Sequence, residues 1–343
     1  MQRAGQGRPR GEPPMPTADD RKPPTPRSPG AGERPDPGLF GPDSVIWQMH
    51  GDPMMWIAGV RALYLQALHP RAVRGILEFS DFRHDAWGRL MRTAQFVGIV
   101  TYGTTEAAER AAAKVRGIHA RLKATDPATG ERYGVDEPEL LLWVHCAEVD
   151  SYLHVLRRSG FPIGAALADR CVREHRERAR LVGLDPERVP ATTAGLAAYF
   201  ERVRPLLTAG PDARAVEDFL RRPPVPAPLV PARALLWRRI SALAYASLPP
   251  YAHELYGRPA PAPERVTRGL VGTGRVLRAV PAGLRWRVPP GQIVGAMARL
   301  GPGARPTPYK LRDPGAILDP PERAGHGDGG GSARWGTRGR GPG

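Results

Sequence analysis

The chain has 343 residues, among them 40 Gly, 40 Pro and two Cys, with a formal charge of +16. That length allows one large domain or two ordinary ones, and two Cys outside any C-x-x-C pattern argue against a thiolate metal site, a redox dithiol or a disulfide framework. The charge does not point to specific nucleic-acid recognition. From Arg258 onward there are 15 Lys or Arg against 5 Asp or Glu, and only four of the basic residues in the whole chain are Lys, a compositional bias with no recognition motif behind it.

Residues 1–38 are rich in Pro, Arg and Gly and read as a disordered leader. They lack the 7–15-residue apolar run of a secretory signal. From Leu39 the character changes. Asp43 or Ser44 is placed to cap a short helix, and Asp52-Pro53 to start the next, over 53–68. The run Met54 to Leu68 is strongly apolar but spans 15 residues and contains Arg61 and Gln66, short of the ~20 needed to cross a bilayer. It reads as a central buried helix in a cytoplasmic protein, ended by His69-Pro70.

Further helices are predicted over 71–79, then 86–101 behind an Asp85 cap, then a helix capped by Thr104 or Thr105 that runs through His119 to about Ala124. Residues 125–134 read as a polar loop. Asp136 with Glu139 has the spacing of a capping box for a helix over 139–158. Helical segments follow over 163–182, 192–207, 213–220, 232–247 and 251–256, with a Pro-rich linker at 223–231. Weaker ones lie over 266–280 and 292–300. With no sustained strand alternation, the fold class is all-α: one helical domain over 39–257, a disordered leader (1–38) and a basic, partly disordered extension (258–343).

Positions i, i+3 and i+4 share a helix face, so Arg89, Arg92 and Thr93 present two guanidinium groups and a hydroxyl together. Buried guanidinium forks require anionic partners: either a ligand's carboxylate meets them, or one Arg reaches solvent and the other pairs with Glu78, Asp81 or Asp85. His119 falls on the face of Ala108, Ala112, Val115 and Leu122, where small side chains leave room for a flat cofactor and a neutral imidazole suits iron. The competing reading is a hydrogen-bonded core histidine. His145 aligns with Glu148, Val149 and Tyr152 and is either packed locally or set to support a cofactor edge. The other histidines show no ligand spacing, and no phosphate-binding loop or nucleophile elbow is present.

Six motifs in order, FGPDSVIW (40–47), LHPRAV (68–73), RLMRT (89–93), VRGIHARL (115–122), LLWVHCA (141–147) and LPPYAHELYG (248–257), resemble the MpaB-type oxygenase family. That family is shared by bacterial latex-clearing proteins (rubber oxygenases) and a fungal oxygenase that cleaves a prenyl chain. The resemblance implies a globin-like helical core holding haem b and dioxygen-dependent attack on an isoprenoid C=C bond. By motif it implies His119 as the iron ligand, Arg89 and Thr93 as residues lining the haem, Arg89, Arg92 and Thr93 as catalytic, and His145 as a supporting histidine. Latex-clearing proteins carry a lysine before the motif Thr, able to cap the distal iron face. Arg92 stands there in this chain and is a poor metal ligand, which implies an open or water-bound distal side. The expected partners are dioxygen and a small hydrophobic substrate, with no specific nucleic acid and a weak contact between the basic C-terminal region and anionic membrane. The alternative is a helical haem- or lipid-binding protein without turnover.

Overall fold

The computed structural model describes residues 34–79, 86–223, 236–287 and 291–311. Residues 1–33 of the leader, the last residues of the C-terminal extension, the Asp85 cap and most of the Pro-rich linker lie outside the described residues, whereas Asp36, read as part of the leader, is hydrogen-bonded to Thr105.

The architecture is all-α. Its centre is the pairing of α2 (Met55–Gln66) with the long helix α6 (Pro138–Arg158). α2 is apolar nearly all round, as its sequence predicts, and buries Ile57, Val60, Tyr64 and Leu65. Its one charged residue, Arg61, is also buried. Its guanidinium meets Asp150 Oδ2 at 2.7 Å, Ser151 Oγ at 2.8 Å and the Ser247 carbonyl at 3.0 Å, so the charge is paired and the donors are used. Trp143 Nε1 of α6 donates to the Gln66 carbonyl at the end of α2.

Around this pair lie α1 (Val45–His50), α3 (Pro70–Phe79), α7 (Ala165–Leu181), α8 (Thr193–Val203), α9 (Pro211–Arg221), α10 (Arg238–Ala246) and α11 (Pro250–Tyr256). Ser44 caps α1 by accepting from the Trp47 amide, as expected. The capping box at Asp136 does not form. Glu137 is the N-cap of α6 and gives no side-chain bond, while the Asp136 carboxylate lies 4.0 Å from Lys123 Nζ.

Residues 125–134, read as a loop, instead carry part of a two-stranded antiparallel hairpin, β1 (Lys123–Thr125) and β2 (Arg132–Gly134), with Ala124 opposite Tyr133. Strands of three residues are too short to display the alternation by which a strand is read. The hairpin also ends the preceding helix at His119 rather than Ala124.

Packed structure does not stop at Gly257. α12 (Pro263–Ala279) packs on α6 and α10, α13 (Ala282–Arg285) follows, and α14 (Gln292–Leu300) packs on α4 (Ala86–Tyr102). Trp47, Tyr102, Trp286, Ile293, Ala296 and Ala304 form a second apolar cluster, with Trp47 Nε1 donating to the Ala304 carbonyl and Trp286 Nε1 to the Gly51 carbonyl. An extension beginning at 258 is therefore a boundary in composition and not in packing. Among the described residues, no helix is long and apolar enough to cross a membrane.

Candidate functional site

α4 and α5 (Thr105–His119) form a helical hairpin through Gly103 and Thr104. The turn is tight: the Gly103 amide bonds the Ile99 carbonyl at 2.8 Å, and a Cβ at Gly103 would lie 2.4 Å from that oxygen. Thr104 caps α5 through the Ala107 amide, and Asp36 accepts from the amide and hydroxyl of Thr105. At about 1.5 Å per residue, Arg89 on α4 and His119 on α5 both lie about 20 Å from this turn. The sequence places them at the same open end of the hairpin.

Arg89 is half-buried. Burial, then the like charge of Arg92, lower its pKa, so the site disfavours bare positive charge and favours an anion beside it. Arg92 follows the reading in which one Arg reaches solvent, and Thr93 goes with it. Both are exposed, and the Thr93 hydroxyl turns back to donate to the Arg89 carbonyl at 3.2 Å. Of the three residues expected on one pocket wall, only Arg89 is withdrawn from solvent. Of the acids expected to pair with them, Glu78 lies 3.4 Å from Arg74, and Asp81 and Asp85 are outside the described residues.

His119 ends α5 half-buried, and its Nδ1 is buried with no hydrogen-bond partner. Burial lowers its pKa, against a smaller opposing pull from Asp136, so the ring is neutral at pH 7. The small-residue face behind it is not open along its length. Ala112 is packed by Val100 and Leu181, with Phe96 against them, which leaves only the C-terminal end of α5 incompletely covered, where Ile118 is 40% exposed.

His145 is not brought to this end. It lies in the interior with His50 at the end of α1 and His175 on α7; the ring centroids are 6.3 Å apart for His145–His175 and 6.0 Å for His50–His175. Arg178 stands among them, 3.3 Å from His50 Nε2 and 3.5 Å from Glu148, with Tyr152 beneath its guanidinium. Burial first, then the Arg178 charge, pushes the His50 and His145 pKa values down to about 3 and that of His175 well below the ordinary range. The three imidazoles are neutral core groups around one buried cation. Sequence spacing could not assemble them, because they come from three helices; the local signals were His145 with Glu148 and Tyr152 on α6 and His175 with Arg178 at i, i+3 on α7.

Among the described residues, no three His, Cys, Asp or Glu side chains are disposed to hold a metal ion together. A surface groove of about 510 Å³ lies elsewhere, lined by charged pairs such as Arg170 with Glu174 and Arg176 with Glu187.

Against known families, residues 47–279 match the model described as ER-bound oxygenase mpaB/B'/Rubber oxygenase, catalytic domain. The chain belongs to this family. The match runs from α1 to the end of α12 and contains both the α4–α5 hairpin and the buried histidine group. As a member of an oxygenase family the protein falls among the oxidoreductases. No curated protein matches it, and no solved structure does.

Proposed function

We propose that the protein is a haem-b-dependent oxygenase that oxidises or cleaves a C=C bond of a small isoprenoid or lipid-like substrate with dioxygen. The observation that carries this reading is His119, an imidazole kept neutral by burial, with an unpartnered buried nitrogen, in an oxygenase catalytic domain. A neutral ring with an unused nitrogen is what an iron ligand requires, and a single histidine suffices where a macrocycle fills the remaining equatorial positions. Haem bound there would supply the redox chemistry with dioxygen.

The chain's own residues would do the rest. His119 would hold the iron through its imidazole. Arg89, destabilised by burial and by Arg92, gains from any carboxylate set beside it, and its planar fork suits the bidentate geometry of propionates. Arg92 adds positive potential at the rim without ligating metal. The Thr93 hydroxyl, anchored to the Arg89 carbonyl, fixes the turn of α4 from which Arg89 projects. Ile118 and Phe96 offer apolar surface to a flat ring or an isoprenoid chain. His145 would act from within the core by supporting α6.

The test is the absorption spectrum of the protein purified with added haemin. A Soret band that His119→Ala abolishes or shifts, and that Arg89→Ala weakens, supports the reading; a parent protein that folds but takes up no haem overturns it. Haem binding without oxygen uptake across a panel of isoprenoids and unsaturated lipids would identify a binding protein without turnover.

A further inference from the structure

We propose that the outer face of α12 to α14 docks the protein on an anionic lipid surface. Between Pro263 and Leu300 there are seven Arg and one acidic residue, Glu264. Some exposed arginines elsewhere are paired, Arg110 with Glu106, Arg180 with Glu177 and Glu109, Arg188 with Glu139 and Arg204 with Glu201, and others such as Arg121 and Arg132 are not; what sets this stretch apart is its near absence of acidic residues. Arg268, Arg275 and Arg287 are exposed, and none forms an ion pair with another described residue. Arg268 and Arg275, seven residues apart, share one face of α12.

The same stretch carries exposed aliphatic side chains. Val276 on α12 is 68% exposed, Leu284 on α13 60% and Val294 on α14 45%. They are not ends of an unfinished core, because the opposite sides of these elements are filled. Thr273, Trp286, Ile293 and Ala296 are buried, and Arg278 is tied to Asp52 and to the Ser159 carbonyl. With the inner side fixed to the body, Val276, Leu284 and Val294 are exposed in the same stretch of chain as Arg268, Arg275 and Arg287.

That combination selects the partner. A polyanion such as nucleic acid rewards the arginines but leaves the aliphatic groups in water. A lipid surface takes both: the headgroup charge attracts the guanidinium groups and the acyl boundary receives the apolar tips. Apolar surface without the charges would fit a protein partner, which the excess of unpaired Arg disfavours. The inference does not depend on the haem reading, since it concerns another face and another ligand.

The experiment is co-sedimentation of the full chain with vesicles of phosphatidylcholine alone or containing phosphatidylglycerol, at low and high salt. The parent protein is expected on the phosphatidylglycerol vesicles only, with binding falling as salt rises. Arg268→Ser with Arg275→Ser should weaken binding more than about tenfold. Val276→Ser with Leu284→Ser should remove the part that persists at high salt. All four positions are exposed, so thermal unfolding monitored by circular dichroism should be unchanged and loss of binding will not reflect loss of fold. Equal sedimentation of the charge variant and the parent would overturn the proposal, because attraction would then come from another part of the chain. So would retention on heparin or DNA without any vesicle binding, or indifference to phosphatidylglycerol.

Discussion

Arg278 Nε lies 2.7 Å from Asp52 Oδ2, joining residues 226 positions apart in sequence. The other two nitrogens of the same guanidinium donate to Ser159, one to its carbonyl at 2.7 Å and one to its hydroxyl at 2.9 Å. One side chain from α12 thus ties the turn between α1 and α2 to the end of α6. Asp52 is buried, so removing its partner leaves an uncompensated carboxylate. Arg278→Ala is expected to cost about 3–5 kcal/mol, read as a fall in the urea midpoint. Truncation after Gly257 should be worse, because it also exposes Trp47 and Tyr102; a truncated chain as stable as the full one would show that the C-terminal helices contribute nothing.

Arg61 makes a second test of buried charge. It links α2 to Asp150 and Ser151 of α6 and to the Ser247 carbonyl. Arg61→Ala should destabilise by about 3–5 kcal/mol, whereas Arg61→Met, which fills the space, should recover part of that loss. The comparison of the two variants by chemical denaturation separates lost packing from stranded polar groups.

Acid should weaken the fold through His50, His145 and His175. Their folded pKa values are depressed, those of His50 and His145 to about 3 and that of His175 well below the ordinary range, while the unfolded chain protonates near the ordinary histidine value of about 6.5. Below that value the unfolded state holds more protons, so this stability is complete above about pH 6.5 and drains as pH falls toward 3. Each ring contributes a slope of up to about 1.4 kcal/mol per pH unit. Glu148, whose pKa burial raises against the pull of Arg178, works in the opposite direction, one group against three. Unfolding free energy measured at pH 7.5, 6.5 and 5.5, as chosen points about the ordinary histidine value, should drop most steeply over the last interval. His145→Gln should flatten the slope, and an unchanged slope would contradict the burial of that ring.

His119→Ala should leave stability within about 1–2 kcal/mol, since the side chain is half-buried and makes no bond through Nδ1. Its effect should fall on ligand absorption and not on the unfolding midpoint. A large stability loss in the absence of haem would instead mark the ring as a core residue.

The helical plan could be read in the sequence where local chemistry decides it. Ser44 and Thr104 cap where their side chains can reach the next amides, and α14 has the bounds expected for the weaker segment over 292–300. Asp136 misled because a capping box needs the backbone to enter the helix one residue earlier than it does, and Lys123 offers the carboxylate a competing partner. The outward turn of Arg92 and Thr93 was also hidden, because shared spacing tells which residues neighbour each other and not which way the face looks. The interior grouping of His145 with His175 depends on how α6 meets α7, a contact no short motif encodes.

The α4–α5 hairpin has a mechanical consequence. Its pivot at Gly103–Thr104 is pinned by Asp36, while Arg89 and His119 sit at the far tips. Over arms of about 20 Å, a splay of about five degrees at the pivot separates the tips by about 2 Å. Asp36 therefore braces the turn from which both tips extend although it touches neither, and Asp36→Ala is expected to loosen the hairpin at its closed end.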